Sequence, residues 1–358
     1  MKTDWLKVVV LALLVSACDQ KAEPEKGFAG MGDAAEHFTA VVPDRPFSFP
    51  QDHGPHPGFR IEWWYITANL QDDQGRHFGV QWTLFRSALR ADATGTGWND
   101  GTIWMGHAAL TSATQHWVAE RYARGGVEQA GVTLTPLTAW IDDWSLRSTS
   151  SSADPLAALQ LSAKGAGFAY QLALKTQKNV VLQGRQGFSQ KSDQGQASYY
   201  YSQPFFQAEG DLQVDGKTYR VSGPAWLDRE WSSQPLTANQ TGWDWFSMHL
   251  QDGAELMLYR MRHKEGAAYL TGTWINADGS TQLLEGNDIS LMPLENSSVA
   301  GRQIPTRWSV KIPGKGLDIT TTALNPQAWM GLQIPYWEGP ITFSGSQQGV
   351  GYLEMTGY

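Results

Sequence analysis

The chain has 358 residues, which is long for one domain, so two domains are the starting expectation. Its formal net charge is −8 and no run of Lys or Arg occurs, which argues against nucleic-acid binding. With 17 Trp, 12 Tyr and 13 Phe, the chain encloses either a bulky β core or a cavity for an apolar ligand.

The N-terminus has the pattern of a targeting signal. A short basic region precedes residues 8–15, which are apolar but too few to span a bilayer. The sequence VSAC at residues 15–18 resembles a bacterial lipobox, and the chain has no other cysteine with which to form a disulfide. Residues 1–18 are therefore predicted to be a lipoprotein signal peptide that ends at Cys18, the site of lipidation. Several acyl chains on one residue anchor a protein stably, since each buried CH₂ contributes about 0.8 kcal/mol.

The residues after the cysteine predict where the protein resides and how it is attached. Asp19 follows directly, and in enterobacteria this residue marks retention in the inner membrane. The predicted location is therefore the cell envelope, with the protein lipid-anchored and facing the periplasm. Residues 19–45 are rich in Lys, Glu, Ala and Gly with little periodicity, and are predicted to be a tether.

From residue 46 onward the pattern is that of β structure. The stretch IEWWYITANLQDDQGRHFGVQWTLF predicts a hairpin with a DDQG turn, and Asp215-Gly216 and Asp278-Gly279 mark two more. Helical periodicity is absent over ten or more residues, so the expected fold is all-β, with antiparallel barrels or sandwiches. A Pro/Ser/Asn-rich break near residues 233–240 divides it into predicted domains at 46–235 and 236–358.

The stretch DHGPHPGFRIEWWYITANL places a carboxylate, Glu62, among large aromatic residues. Alternation puts Arg60, Glu62 and Trp64 on one face of a strand. Glu62 is therefore either a pocket carboxylate or, as we favour, a structural partner of Arg60.

Three residues of the same stretch have the side-chain chemistry of metal ligands: Asp52, His53 and His56. Gly54 and Pro55 leave their local geometry undefined, and their spacing is not that of a known site. No metal site is therefore predicted.

The segment PAWLDREWSSQ combines two carboxylates with aromatic residues. In a strand, Trp226, Asp228 and Glu230 share one face, and Arg229 lies on the other. Like charges on one face favour a carboxyl that stays protonated near neutral pH, which is the requirement for a general acid. The alternative is that one of the carboxylates pairs with Arg229 or another arginine.

The segment GWDWFSMHL is a second strand with one charged residue on an apolar face. Asp244 shares its face with residues 246, 248 and 250, whereas Trp243, Trp245 and His249 lie on the other. Asp244 must find a partner or shift its pKa. His249, and His107 in a separate strand, are interpreted as hydrogen-bonded structural residues.

Other enzyme signatures are absent from the sequence. It contains no Gly-x-Ser-x-Gly elbow, no P-loop and no dinucleotide fingerprint. Nucleophilic serine hydrolysis has no support.

Four Trp-rich motifs together resemble the AttH-like secreted proteins, which are related to the carotenoid 1,2-hydratases. They are FPQDHGPHPGFRIEWWYITANL, AWLDREWSSQ, GWDWFSMHL and the terminal pair YWEGPITFSG and GYLEMTGY. The resemblance spans residues 46–358 and implies two consecutive lipocalin-like antiparallel β-barrel domains.

The resemblance also implies a reaction that needs no cofactor. In the carotenoid hydratases an aspartate in an aromatic-x-Asp segment is thought to protonate an isolated alkene, and water captures the resulting tertiary carbocation. In this chain that aspartate is Asp228, with Trp226 in the aromatic position. The hydratases' upstream His-x-Trp pair is replaced by Tyr199 and Tyr201, whose ring faces can stabilise a cation. Arg229 and Glu230 replace the His-Asn that commonly follows the aspartate.

Two functions therefore stay open. The first is hydration of an alkene in an apolar isoprenoid or lipid, with substrate contacts expected from five residues: Glu62, Trp64, Glu230, Trp243 and Trp245. The second is a lipid-binding lipoprotein without catalysis that works with an ABC-transporter permease, because relatives of this type are often encoded beside such permeases.

Overall fold

The computed structural model describes residues 37–91, 97–234 and 236–358. The predicted signal peptide, including Cys18, and Asp19 lie outside these ranges. In the part of the chain that the structure describes, no helix is long and apolar enough to cross a membrane. The same ranges contain four single-turn 3₁₀ helices: Gln51–His53, Gly97–Asn99, Gly286–Asp288 and Pro313–Lys315.

The first of two antiparallel sheets forms the first barrel and contains 13 strands within the described residues. They are β1 Ile61–Asp72, β2 His77–Ala88, β3 Thr102–Ser112, β4 His116–Arg124, β5 Ala130–Leu134, β6 Leu137–Ile141, β7 Trp144–Ser148, β8 Ala158–Gly165, β9 Phe168–Lys175, β10 Val181–Leu182, β11 Phe188–Gln190, β12 Ala197–Val214 and β13 Lys217–Ser232. Their order is β4-β3-β2-β1-β13-β12-β9-β8-β7-β6-β5, and β10 and β11 both pair with β12. The long strands β12 and β13 therefore lie at the centre of the sheet, between β1 and β9.

The second sheet forms the second barrel and contains 10 strands in the described ranges. They are β14 Gln240–Leu250, β15 Glu255–His263, β16 Tyr269–Ile275, β17 Thr281–Glu285, β18 Ser290–Val299, β19 Arg302–Ile312, β20 Leu317–Ala323, β21 Trp329–Met330, β22 Tyr336–Gly345 and β23 Gly349–Met355. Their order is β17-β16-β15-β14-β23-β22-β20-β19-β18, with β21 beside β22. The prediction of an all-β fold of two consecutive lipocalin-like antiparallel barrels is confirmed.

Turn chemistry explains where the hairpins form. Asp215 and Gly216 both have positive φ, 47° and 79°, as the tight turn between β12 and β13 requires. The predicted hairpins at the DDQG turn and at Asp278-Gly279 also form, joining β1 to β2 and β16 to β17.

Each barrel has its own apolar core, and strand alternation fills it. In β1, Trp64, Ile66 and Ala68 point into the first core, and in β14, Phe246 and Met248 point into the second. The largest side chains in both cores are fully buried tryptophans: Trp82, Trp144, Trp231, Trp308 and Trp337. Bulky side chains therefore occupy both barrel interiors.

A third apolar cluster lies between the barrels. Tyr65, Tyr200 and Trp226 of the first barrel pack against the second barrel's side chains, among them Trp245. This cluster comes from the strand faces opposite the two cores, so β1, β12, β13 and β14 are covered on both sides.

The close approach of the barrels depends on a glycine in β2. A Cβ at Gly79 would lie 2.5 Å from Cγ of Pro340 and 2.7 Å from the hydroxyl oxygen of Tyr352. Both neighbours belong to the second barrel, so any larger residue at position 79 would push the sheets apart.

The end of the predicted tether packs on the first barrel. Val41 is buried, and the backbone N–H and C=O of Val42 both hydrogen bond to the hydroxyl of Tyr199, at 3.0 and 2.9 Å. Arg45 pairs with Asp52 at 2.7 Å. The packed part of the chain therefore begins before residue 46.

Candidate active site

A cleft between the two barrels brings together aromatic and acidic side chains. Its walls come mainly from β1, β2 and β13 of the first barrel and from β14, β15 and β23 of the second. The aromatic lining consists of Trp63, Tyr65, Phe85, Trp243, Trp245 and Tyr259. Three carboxyl groups face the same space: Asp228, Glu230 and Glu354.

Strand β13 carries two of these carboxyls because of its alternation. Asp228 and Glu230 point into the cleft, whereas Arg229 and Trp231 lie on the first-barrel face of the strand. In the antiparallel ladders, Asp228 lies directly opposite Tyr65 of β1. The two side chains therefore share one face of the sheet.

Asp228 is held by three hydrogen bonds. Oδ1 accepts from the hydroxyl of Ser202 at 2.5 Å and from Nε1 of Trp226 at 2.6 Å. Oδ2 accepts from the hydroxyl of Tyr200 at 2.5 Å, and that hydroxyl also accepts from Nε1 of Trp245 at 3.1 Å. Oδ1 thus has two donors and Oδ2 one, so Oδ2 has room for an acid proton.

Burial raises the pKa of Asp228 to about 7. The hydrogen bonds from Ser202, Tyr200 and Trp226 favour the carboxylate and lower the pKa, whereas the charge of Glu230 raises it further. Removal from water outweighs the three donors. Asp228 therefore exchanges a proton near neutral pH, as general acid catalysis requires.

Glu230 lies beside Asp228 but has a cationic partner. Nζ of Lys191 is 2.8 Å from its carboxylate, and the hydroxyl of Ser198 also donates to it. The same ammonium lies over the rings of Tyr200 and Tyr259, at 4.9 and 4.7 Å. The alternative expected from the sequence, a carboxylate paired with a cation, therefore applies to Glu230, with a lysine in place of an arginine.

Glu354 is the third carboxyl and comes from the second barrel. Burial, together with the charges of Asp228 and Glu230, raises its pKa to about 7, against the hydrogen bond that Nε1 of Trp243 donates at 2.6 Å. Its neighbour across the β22–β23 ladder is Glu338, whose pKa burial raises well above the ordinary value. The cleft thus has proton-holding carboxyls on both walls.

Five predicted site residues lie in or beside the cleft. Glu230, Trp243 and Trp245 line it, as does Asp228. Trp226 is fully buried behind Asp228 and reaches it through Nε1. It is therefore a positioning residue for the acid and not a wall of the cleft.

The prediction of Tyr199 and Tyr201 as cleft residues was wrong. Both side chains belong to the first core, where Tyr199 contacts Val42 and Tyr201 contacts Nδ1 of His53 at 2.7 Å. Alternation along β12 turns the tyrosine between them, Tyr200, toward Asp228. The His-x-Trp spacing of the resemblance selects the outer two of three successive tyrosines, and these lie on the face of β12 opposite Asp228.

The same one-residue error affects β1. Glu62 and Trp64 face the first core, whereas Ile61, Trp63 and Tyr65 face the cleft. Both predicted substrate contacts, Glu62 and Trp64, are therefore corrected to structural residues.

Glu62 is structural, as favoured, but its partners differ from the prediction. Arg229 lies 2.8 Å and Arg86 3.1 Å from its carboxylate, in place of the predicted Arg60. Nδ1 of His56 is also 3.1 Å away. These partners hold the pKa of the fully buried Glu62 at about 2, against the opposing effect of burial.

The guanidinium of Arg229 also lies over a ring in the first core. Its carbon is 3.6 Å from the ring centroid of Trp64. Arg229 therefore combines a buried ion pair with a cation–π contact.

The remaining polar candidates have local partners. Asp52 contacts Arg45 and His56, and in the described ranges no group of three His, Cys, Asp or Glu side chains is arranged to hold a metal. Asp244 contacts Arg260 and the hydroxyl of Tyr358, at 3.4 and 2.8 Å.

The two histidines interpreted as structural are also partnered. His249 lies 2.6 Å from Glu255, and His107 lies between Tyr336 and Glu120 at 2.9 and 3.2 Å. His107 thus links a residue of the second barrel to a residue of the first.

Sequence reasoning missed Tyr200, Glu338 and Glu354. A signal existed for the two glutamates, because each is the lone charge in an apolar strand, in YWEGPI and in GYLEM. A charge in such a strand requires a partner or a shifted pKa. Their approach to Asp228 depends on the packing of one barrel on the other, which no local pattern shows.

Comparison with known proteins adds a family and a fold. Residues 40–358 match the model of a family described as AttH-like. A crystal structure of a Nitrosomonas europaea protein described as AttH is 31% identical, has a TM-score of 0.78, and the match covers 90% of this chain and 100% of that one. No curated protein matches the sequence.

Two further crystal structures share the fold at lower identity. Kievitone hydratase from Nectria haematococca is 17% identical with a TM-score of 0.64, over 90% of this chain and 96% of the hydratase. CghA, in a structure with Sch210972, is 13% identical with a TM-score of 0.56, over 91% of this chain and 96% of CghA. At these identities the likeness concerns the fold alone.

Proposed function

The chain belongs to the AttH-like family, and from this premise we propose that it is a hydro-lyase that hydrates an isolated alkene by acid catalysis without a cofactor. The substrate is an apolar isoprenoid or lipid bound in the cleft between the barrels. Asp228 is the general acid. Kievitone hydratase has the same fold, so the fold can accommodate a hydratase.

The observation that carries the proposal is the setting of Asp228. It is a buried carboxyl with a pKa of about 7, at the wall of an aromatic cleft. An isolated alkene is a weak base, so it needs an acid that is still protonated at neutral pH and is held close to one carbon, away from water. The donors Ser202, Tyr200 and Trp226 stabilise the carboxylate that remains after the proton leaves.

The reaction proceeds in two steps with the atoms balanced. Asp228 transfers its proton to one alkene carbon, and the other carbon becomes a carbocation. The faces of Trp63 and Trp245 line the cleft where this charge forms, and a cation over a ring gains about 0.5–2 kcal/mol. Water then adds to the cation and loses a proton to a carboxylate, for which ion-paired Glu230 is placed.

The experiment uses lycopene and squalene as alkene probes in H₂¹⁸O. Purified residues 19–358, with Cys18 removed, are incubated with each probe, and ¹⁸O-labelled alcohol is measured by mass spectrometry. Asp228→Asn is expected to lose at least about 10²-fold in turnover, the usual contribution of a general acid. Asp211→Asn, the same change at a half-buried position of β12 away from the cleft, is the control and keeps the wild-type rate. Wild-type turnover in Asp228→Asn would exclude Asp228 as the acid.

The competing function is a lipid carrier, and the aromatic lining of the cleft also suits it. Small molecules extracted from purified wild type and Asp228→Asn separate the two functions. A hydrated lipid in wild type and its alkene precursor in the variant support the hydratase. The same unaltered lipid in both supports a carrier, which we would then place beside an ABC-transporter permease.

We also propose that Cys18 carries a lipid anchor that holds the barrels at the envelope, facing the periplasm, with Asp19 favouring the inner membrane. Intact-mass measurement of the membrane fraction tests this, because Cys18→Ser then loses the acyl mass and leaves the membrane.

A further inference from the structure

A chain of hydrogen-bonding side chains, separate from the residues assigned above to catalysis, leads from the protein surface to the barrel interface. It begins at Glu120 of β4, which is partly exposed. Oε1 of Glu120 is 3.2 Å from Nε2 of His107, and Nδ1 of the same ring is 2.9 Å from the hydroxyl of Tyr336. His107 is fully buried, so its two ring nitrogens connect the surface to the second barrel.

The chain continues from the second barrel to the cleft. Tyr336 and Glu338 lie on the same face of β22, two residues apart, so their side chains are adjacent. The hydroxyl of Tyr65 donates to Oε1 of Glu338. Tyr65 lines the cleft directly opposite Asp228, so the chain ends beside the proposed acid.

Donor and acceptor counting fixes where the protons lie. Contact with His107 lowers the pKa of Glu120, and burial lowers the pKa of His107, so the pair is a carboxylate and a neutral imidazole at neutral pH. Nε2–H must then donate to Glu120, and Nδ1 must accept from the hydroxyl of Tyr336. The oxygen of Tyr336 is then left as an acceptor on the side of Glu338, and a proton on Oε2 of Glu338, which has no hydrogen-bond partner among the described residues, would supply the donor. Burial, which raises the pKa of Glu338, is consistent with this.

We propose that Glu120, His107, Tyr336, Glu338 and Tyr65 form a proton path between the cleft and the surface. Each group passes one proton to its outer neighbour and receives one from its inner neighbour. The net change is one proton taken from water in the cleft by Tyr65 and one proton placed on Glu120, which releases it to solvent.

The path gives the proposed reaction a second outlet for a proton. Water that captures the carbocation must lose a proton, and Tyr65 lies on the wall where this occurs. This use rests on the proposed hydratase function. The path itself does not, so it is tested without any substrate.

The test follows hydrogen exchange of Glu338 by infrared spectroscopy. Spectra are recorded about two pH units above the pKa of Asp228 and Glu354, where both are ionised and contribute no carboxylic C=O band. The carboxylic C=O band that Glu338→Gln removes is assigned to Glu338. After transfer to D₂O, its shift gives the exchange rate, and the amide band reports opening of the structure in the same spectra.

Two variants interrupt the path at different points. His107→Phe removes both ring nitrogens, and Tyr336→Phe removes a single hydroxyl at nearly constant shape. Both are made in a Tyr65→Phe background, which closes the cleft end of the path, and are expected to slow exchange of the Glu338 band at least about tenfold relative to Tyr65→Phe alone, with unchanged amide exchange. His116→Phe in the same background, at a histidine of β4 that contacts Thr111 outside the path, keeps the rate of Tyr65→Phe.

Two results would overturn the proposal. The first is exchange of the Glu338 band that stays as fast as in Tyr65→Phe alone, or faster, when His107→Phe or Tyr336→Phe is added to it. The second is a wild-type spectrum without a band that Glu338→Gln removes. A hydratase assay that fails while exchange slows in both variants would overturn the proposed function alone.

Discussion

Asp228 holds its proton because burial opposes, and outweighs, three hydrogen-bond donors. Each donor acts on the carboxylate, so each makes proton release easier and also makes recapture harder. The pKa of Asp228 therefore depends on the balance between burial and these three donors. Without donors it would stay neutral at every useful pH, and without burial it would be an ordinary ionised aspartate.

The raised pKa of Asp228 makes the folded state less stable as the pH rises. The folded-state pKa of about 7 lies above the ordinary value of 3.8, so between these values the folded state binds more protons than the unfolded state. The free energy of unfolding therefore falls as pH rises from about 4 to about 7. At about 1.36 kcal/mol per pKa unit, the total is on the order of 4 kcal/mol.

Asp228→Asn should abolish this fall in the free energy of unfolding with rising pH, and it should also abolish turnover. The amide keeps an acceptor for Trp226 and cannot ionise, so above about pH 7 the variant should be more stable than wild type. Urea unfolding at a series of pH values measures the difference. A gap between wild type and variant that stays constant from pH 4 to pH 8 would contradict the assignment.

Tyr200 should tune the acid, and its neighbour should not. Tyr200→Phe removes a donor to Oδ2 of Asp228, so the pKa of Asp228 should rise by about one unit, the equivalent of a charge-assisted hydrogen bond. Tyr201→Phe removes a hydroxyl that contacts His53 on the opposite face of β12 and serves as the matched control. Titration followed by carboxyl ¹³C NMR measures both. Equal effects of the two variants would contradict the observed strand register.

At the scale of elements, the paired strands β1 and β13 separate two kinds of charge. One face holds the buried ion pair of Glu62 and Arg229, and the other holds Asp228 beside Tyr65. Because successive side chains alternate between faces, the ion pair and the titratable carboxyl of Asp228 are separated by the thickness of one sheet. The strand pair therefore both supports the first barrel and presents the acid.

Replacement of Arg229 should destabilise the folded state, because Arg229 is the ion-pair partner of a buried carboxylate in this strand pair. Arg229→Met leaves the fully buried carboxylate of Glu62 with Arg86 as its remaining arginine, at a cost of about 3–5 kcal/mol in the free energy of unfolding. Urea denaturation measures the loss. The double variant with Glu62→Gln should recover part of it, because the buried charge is gone. A double variant as unstable as the sum of the single variants would contradict the ion-pair account.

The elements also show how far the sequence predicts this molecule. Strand period and turn residues are local patterns, and they predict the hairpins and the all-β fold. The acidic segment predicts only that one carboxyl stays protonated, and the family resemblance selects Asp228 as that residue. The choice of face is not local in β1 and β12, since both faces of these strands are buried. No polar side marks the outside there, so Trp64, Tyr199 and Tyr201 were assigned to the wrong face.

At the scale of the whole molecule, the site exists only when the two barrels are packed together. Asp228 and Tyr65 come from the first barrel, and Trp243, Trp245 and Glu354 from the second. The hydrogen bond from Trp245 to Tyr200 and the one from Tyr65 to Glu338 cross the interface. Because these contacts also stabilise both barrels, we expect the described parts of the chain to unfold in one transition.

Gly79 is where this packing can be tested. Gly79→Ala places a methyl group 2.5 Å from Pro340 and should cost about 1–3 kcal/mol through overpacking. Gly314→Ala has open space around the new Cβ and is the control. Tryptophan fluorescence during urea unfolding measures both, and a second transition in Gly79→Ala would reveal barrels that have separated. Identical curves for the two variants would show that Gly79 does not control the interface.

Tryptophan side chains fill both barrel interiors, whereas the cleft takes its walls from the opposite strand faces. A change to a cleft wall such as Trp63 or Phe85 therefore leaves the filling of either barrel intact. Separate sets of residues therefore determine which substrates bind and whether the chain folds. This separation makes the molecule a favourable starting point for directed evolution, in which libraries confined to the cleft should yield mostly folded proteins.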